Sequence, residues 1–235
     1  DPALIREDRL YNLRLPAVRK FQQTQRINTP LHPQPSQAKL GIVAVGKSLY
    51  EINDALHSLG IVDPAKAGIG LFSVVMPWPI NTNALRDFAA NFDEVLVIEE
   101  KRPLVEDQMA RAVVNMTDRA VITGKFSPDG ELLLPETGEL THATLMAAIH
   151  NRAAAHGIKT DLPYTADASA AVLPSIATRT PWYCAGCPHN SSTKLPNGEI
   201  VGMGIGCHSI SGFLTPDDIT NFTQMGGEGA FWIGR

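Results

Sequence analysis

The sequence predicts an α/β fold with a small, mainly parallel sheet, followed by the start of a second, chemically different domain. Three observations carry this. Short continuous apolar runs such as "KLGIVAVG" and "EVLVIEE" read as strands buried on both faces. They alternate with stretches whose apolar residues recur at helical spacing, and that alternation implies βαβ units. After residue 180 the composition turns to Gly, Cys, Ser and Asn with little apolar periodicity. The expected organisation is an N-terminal helix and proline-rich linker over 1–36, the α/β domain over 37–150, a second linker over 151–180, and the beginning of another domain over 181–235.

Taken in order, "LIREDRLYNLRLPAVRKFQQTQ" is helical, and Pro30, Pro33 and Pro35 forbid regular helix in the tail behind it. "KLGIVAVG" is the first strand, closed by Gly46. Ser48 stands where an N-cap would, before a helix with Leu49, Ile52, Leu56 and Leu59 on one face, ended by Gly60. "GIGLFSVVMPWPI" is a strand running into a proline-fixed turn, and "NTNALRDFAANF" a helix with Leu85, Phe88 and Phe92 at helical spacing. "EVLVIEE" is a third strand, with Pro103 near the first turn of the helix after it. "RAVITGKF" is a fourth strand, and "GELTHATLMAAIHNRAAAHG" a helix with a capping-type start at Thr141.

With 44% hydrophobic and 19% charged residues the chain can bury a core and does not read as disordered. A net charge of -4 with scattered basic residues gives no reason to expect nucleic acid. No apolar run approaches the roughly 20 residues that span a bilayer, and the charged N-terminus lacks the apolar segment of a signal peptide. Three cysteines in one segment are too few for a disulfide framework, so a reducing cytoplasm is expected, with a metal or cofactor role for them. The start at Asp1 without Met, and the stop at Arg235 just behind "GGEGAFWIG", suggest a piece of a longer protein.

All three cysteines lie in "PWYCAGCPHNSSTKLPNGEIVGMGIGCHSISG". Cys184 and Cys187 form a C-x-x-C pair, and Cys207 follows behind Gly202, Gly204 and Gly206, which remove side chains where backbone must come close to something. This set fits an iron–sulfur cluster short of one ligand, or a zinc site completed by His189 or His208. A structural zinc site normally brings a second paired knuckle, and adjacent Cys207–His208 chelates one tetrahedral ion poorly. A cluster can take its fourth cysteine from far along the chain, so spacing favours the cluster. The plain alternative is three small buried residues.

The residues "YCAGCPHNSSTK", "GIGCH" and "FTQMGGEGAFWIG" resemble the opening of the thiamine-diphosphate-binding domain of 2-oxoacid:ferredoxin oxidoreductases. The proline in "GCPHN" is similar to the indolepyruvate ferredoxin oxidoreductase branch, in its long fused form. Upstream, "GIVAVGKSLYEINDAL", "LFSVVMPWPI" and "VLVIEEKRPLVEDQ" resemble that family's transketolase C-terminal-like domain. The resemblance covers roughly residues 5–235 in the same order. It implies an enzyme that oxidatively decarboxylates arylpyruvates to acyl-CoA, with coenzyme A and ferredoxin as partners, and a full-length form that is a cytoplasmic homo-oligomer. It also implies a 4Fe–4S cluster held by Cys184, Cys187, Cys207 and a ligand outside this chain. Backbone around Gly206 to His208, and the loop Gly226, Gly227 and Glu228, would approach thiamine diphosphate with its Mg2+. The family's "GDG" motif is absent, as are its pyrimidine-side domain and a ferredoxin-like module. This chain would therefore hold half of one site and be inactive alone.

Glu99, Glu100, Lys101 and Arg102 follow an apolar strand, at the edge where open α/β sheets take ligands; a solvated turn is the plainer reading. "GIVAVGKS" matches G-x4-GK[ST] formally, but its middle is strand-like and not a phosphate-cradling loop. His57 and His142 read as surface or cap residues, and Met225 and Trp232 as packing residues beside the glycine loop. The competing functions are a non-catalytic α/β binding module with a zinc knuckle and, last, a nucleotide-binding domain resting on "GIVAVGKS" and fold analogy.

Overall fold

The computed structural model describes residues 2–31, 35, 39–161, 180–196, 199–214 and 219–234. The chain divides into two units, 1–171 and 172–235. Among the described residues no helix is long and apolar enough to cross a membrane.

The first unit begins with helix α1 (Pro2–Arg9), a π-helical turn (Leu10–Arg14) and α2 (Leu15–Gln25), ended by Arg26 in the left-handed region. Most of this stretch is exposed, but Gln22 is buried and works as a bolt. Its Nε2 donates to Pro79 O, and its Oε1 accepts from Asn81 N at 3.0 Å. Asn28, behind the end of the helix, does the same, with Oδ1 accepting from Val75 N and Met76 N at 2.9 and 3.0 Å. Between them these amides satisfy backbone groups of the loop after the second long strand. Strand β1 (Thr29–Pro30) then pairs antiparallel with that strand. The expected linker over 1–36 is thus corrected at residues 29–30, which form the edge of the sheet. Proline is tolerated there because an edge strand needs no ladder donor on its open side. Pro33 lies outside the described residues.

The sheet continues with β2 (Leu40–Val45), β3 (Ile69–Val74), β4 (Glu94–Ile98) and β5 (Val121–Thr123) in the order β1-β3-β2-β4-β5, parallel except for β1. β2 is central, with Leu40 opposite both Ile69 and Glu94. Its alternate side chains feed two cores. Leu40, Ile42 and Ala44 meet α3 (Ser48–Ser58) and α6 (His142–Ala155) on one face. Val43 meets α4 (Thr82–Ala89) and α5 (Leu104–Val113) on the other. Each fully buried Leu, Ile or Phe contributes roughly 1.5–3 kcal/mol. Gly41 has a packing reason: a Cβ there would lie 2.9 Å from the Phe88 ring.

All four strands and four helices read from hydrophobic spacing are present. Thr141 caps α6 as expected, accepting from Thr144 N at 3.2 Å. Ser48 does not cap α3: Lys47 occupies the cap position without a side-chain hydrogen bond, and Ser48 is already helical and buried. The boundary at 150 is also corrected. α6 continues to Ala155 with Arg152 and Ala153 buried, Ile158 adds to the core, and Asp161 N donates to Leu59 O at 3.1 Å. The helix read in "GELTHATLMAAIHNRAAAHG" already reaches this far, and only the domain boundary drawn inside it at 150 moves. Residues 162–179 of the expected second linker lie outside the described residues.

The second unit holds α7 (His189–Ser192), β6 (Val201–Met203), a 3-10 turn (Cys207–Ile210), α8 (Ser211–Leu214), β7 (Ile219–Phe222) and a 3-10 turn (Ala230–Gly234). β6 and β7 pair in parallel with an irregularity between Val201 and Gly202.

Candidate functional site

The C-x-x-C pair is a tight turn. Cys187 N donates to Cys184 O at 3.1 Å, and Gly186 between them has φ +75°. Asn190 closes the same loop, its Nδ2 donating to Cys184 O at 3.0 Å. The thiol of Cys187, half-buried, meets His189 Nδ1 at 3.1 Å, and the His189 ring stacks on buried Tyr183 with centroids 5.4 Å apart. Cys184 is exposed.

Behind β6 the chain makes the glycine-rich approach. His208 Nε2 accepts from Gly204 N at 3.0 Å, with the His208 ring also against Gly206. Glu228 lies across the same glycine, so that a Cβ on Gly204 would collide with its side chain. Gly202 is covered in the same way by Asn221, with Trp232 beside it. Gly227 N donates to Gln224 O at 2.9 Å and closes the Gly226 turn. Of the residues singled out from the sequence, Gly206, His208 and Glu228 therefore stand around one backbone bend at Gly204.

The sulfurs are a different matter. Among the described residues no three His, Cys, Asp or Glu side chains are gathered so as to hold a metal ion. Neither ligand set expected from spacing is assembled: not Cys184, Cys187 and Cys207, and not those cysteines with His189 or His208. Both rings are held locally, His189 by a thiol two residues away and His208 by an amide four residues away. Cys207 is exposed on its own turn, and all three cysteines are free.

At the carboxyl end of the first unit's sheet, Glu99 to Arg102 divide into two kinds. The solvated turn expected there is corrected for Glu99, which is only 3% exposed. Its carboxylate accepts from Val105 N at 3.0 and 2.9 Å and from Glu106 N at 2.9 Å, capping α5. Lys125 is equally buried and donates from Nζ to Glu99 O at 2.5 Å. Burial pushes the Glu99 carboxyl up and the Lys125 ammonium down, each against the pull of its neighbours. It also pushes the Glu106 carboxyl up, with Glu99 and Asp107 adding to the rise and Lys125 opposing it. Lys101 and Arg102 are exposed, the former donating to Gly138 O at 2.5 Å. Opposite them, Lys47 is shared by Glu139, Glu51 and Glu100 at 2.8, 2.9 and 3.1 Å. The spacing of apolar residues could not reveal Lys125, since a lysine behind a short strand looks like surface.

Residues 31–171 match the family model of the indolepyruvate oxidoreductase domain. The chain belongs to this family. It is 27% identical over 224 residues to the indolepyruvate oxidoreductase subunit IorA of Pyrococcus abyssi, covering 91% of this chain and 32% of the relative. The same subunit of Thermococcus kodakarensis is 29% identical over 186 residues, covering 76% and 26%. The chain thus spans about a quarter to a third of the curated relatives it matches. Among solved structures it is similar to an inactive beta4 tetramer of a split-gene transketolase, at TM-score 0.37 and 18% identity over 55% of this chain and 42% of that one. It is also similar to a 2-oxoglutarate:ferredoxin oxidoreductase from Magnetococcus marinus, at TM-score 0.37 and 12% identity over 54% and 19%.

Proposed function

We propose that this chain is part of an oxidoreductase that oxidatively decarboxylates arylpyruvates, indolepyruvate among them, passing the acyl group to coenzyme A and electrons to ferredoxin. The observation that carries the reading is the family match over 31–171 in a chain that continues into a C-x-x-C-x19-C segment. Residues 37–161 act as its transketolase C-terminal-like domain, and residues 181–235 begin its thiamine-diphosphate-binding domain. Cys184, Cys187 and Cys207 serve as 4Fe–4S ligands with a fourth from outside the chain. Among the described residues the three sulfurs do not stand together as a ligand set. The bend that Gly206, His208 and Glu228 share, with Gly226 and Gly227 beside it, offers close backbone approach to thiamine diphosphate and its Mg2+. That cofactor supplies the carbanion chemistry when bound. The complete enzyme is a cytoplasmic homo-oligomer, and this chain alone does not turn over.

Metal analysis tests the reading on protein purified without oxygen, as this chain and as a longer form continuing beyond Arg235. Iron and acid-labile sulfide, with broad absorption that bleaches on reduction, are expected in the longer form and are lost in Cys184→Ser with Cys187→Ser. Stoichiometric zinc with a featureless spectrum in both forms would overturn it in favour of a zinc-bearing binding module.

A further inference from the structure

The parallel sheet reverses direction at β2. From β2 the chain crosses through α3 on one face to reach β3, then returns through α4 on the other face to reach β4 on the opposite side. The carboxyl ends of β2 and β4 therefore border a topological switch point, where open α/β sheets bind ligands. A cavity of about 680 Å³ lies there, a volume typical of small-molecule sites.

Two helices begin at this crevice, and they differ. The first turn of α5 is filled from within by the Glu99 carboxylate. The first turn of α3 has no side-chain cap. Ser48, at the start of α3, lines the cavity; it is 1% exposed, and its Oγ has no hydrogen-bond partner. Arg102 lines the same cavity, and its guanidinium has no ion pair among the described residues. Lys47 adds a second cation whose three pairs are all part-exposed, and such pairs exchange readily. Glu100 also lines it, so the cavity offers an acceptor for hydroxyl donors as well as groups for an anion. Val45, Pro77 and Leu104 supply an apolar wall.

We propose that this cavity binds a nucleoside monophosphate. The phosphate sits at the N-terminus of α3, where the helix dipole, Ser48 Oγ, Lys47 and Arg102 favour negative charge. The sugar hydroxyls donate to Glu100, and the base lies along the apolar wall. This is not a P-loop: "GIVAV" is strand through Val45, and what reaches the ligand is only the Gly46 turn with Lys47 and Ser48. The site lies wholly in the first unit, so it stands or falls independently of the cysteine reading.

Isothermal titration calorimetry of AMP into this chain tests it, with adenosine and inorganic phosphate as separate probes. Saturable AMP binding is expected, tighter than either probe alone. Arg102→Ala weakens it about tenfold, as loss of one charge-assisted hydrogen bond would. Ser48→Ala weakens it severalfold without lowering the unfolding midpoint, because the hydroxyl has no internal partner to lose. No saturable AMP binding at millimolar concentration, or binding unchanged in Arg102→Ala, overturns the site. Adenosine binding as tightly as AMP overturns the phosphate assignment, and phosphate binding as tightly as AMP overturns the nucleoside assignment. Arg102 is exposed, so its variant keeps the test decisive even if Ser48→Ala does not fold.

Discussion

The two units are held together by different means. Residues 40–158 bury two continuous apolar clusters on either side of a parallel sheet, with Phe72, Leu40, Ile42 and Leu56 almost fully enclosed. In residues 180–234 Tyr183 is the buried apolar side chain among the described residues, while Trp182, Phe213, Met225 and Ile233 are 67%, 66%, 76% and 89% exposed. The second unit takes its form instead from turns, glycine approaches and local hydrogen bonds around Gly204 and the C-x-x-C loop. Local contacts of this kind open at low cost, whereas a packed core opens only with the whole domain.

The sharpest way to break this contrast is truncation in each unit. Phe72→Ala should cost about 3–5 kcal/mol through lost burial and the cavity left behind. Phe213→Ala, at an exposed site, should stay within about 0.5 kcal/mol. Denaturant unfolding measures both, and similar losses would erase the distinction.

A comparable effect is expected at the buried end of β4. Glu94 accepts from Arg152 Nε and Nη2 at 2.7 Å each and from Thr123 Oγ1 at 2.7 Å, with His156 Nε2 at 2.9 Å. Glu94→Gln leaves a buried guanidinium without its counter-charge, and about 3 kcal/mol of stability should be lost in thermal or denaturant unfolding.

Acid titration separates the two buried glutamates at the ends of this strand, Glu94 at its start and Glu99 just behind it. Burial opposes the Glu94 carboxylate, but Arg152, Thr123 and His156 together hold it below the ordinary range. Its stabilisation is complete above the unfolded pKa of about 4.3 and is lost as pH falls through the lower folded value. Glu99 is the reverse case, raised by burial against the pull of the Glu106 and Val105 amides. Its contribution is complete below the unfolded pKa and is lost as pH rises through the raised folded value. Stability measured from pH 3 to 7 should lose its acid-side drop in Glu94→Gln and its opposing component in Glu99→Gln.

Smaller effects sharpen the picture. Thr141→Ala removes the cap of α6 and should cost about 1 kcal/mol. Gly204→Ala should change unfolding of the first unit by less than about 0.5 kcal/mol, because the collision with Glu228 lies in the second unit. Hydrogen exchange should show its damage as lost protection at Gly204 N, which donates to His208, and at Thr223 N, which donates to Met203 O at 2.9 Å. A global shift of the same size as that of Phe72→Ala would show that the units do not unfold separately.

Much of this was legible in the residues. Apolar runs and helical spacing determined the order and type of every element from Leu40 to the start of α6, because a strand buried on both faces and an amphipathic helix each need one pattern only. The cysteine spacing, with the motifs around it, pointed to the family that the match over 31–171 shows. Only tertiary structure decided the rest. Thr29 and Pro30 became an edge strand because β3 had an open side, and Glu99 became a buried cap because α5 begins directly above it. Lys125 was drawn inside by a carbonyl and two carboxylates that lie far from it in sequence. The cavity beside Ser48 exists because the chain leaves β2 and β4 in opposite directions. Periodicity reports what one element buries; which polar groups meet depends on neighbours that only the folded chain brings together.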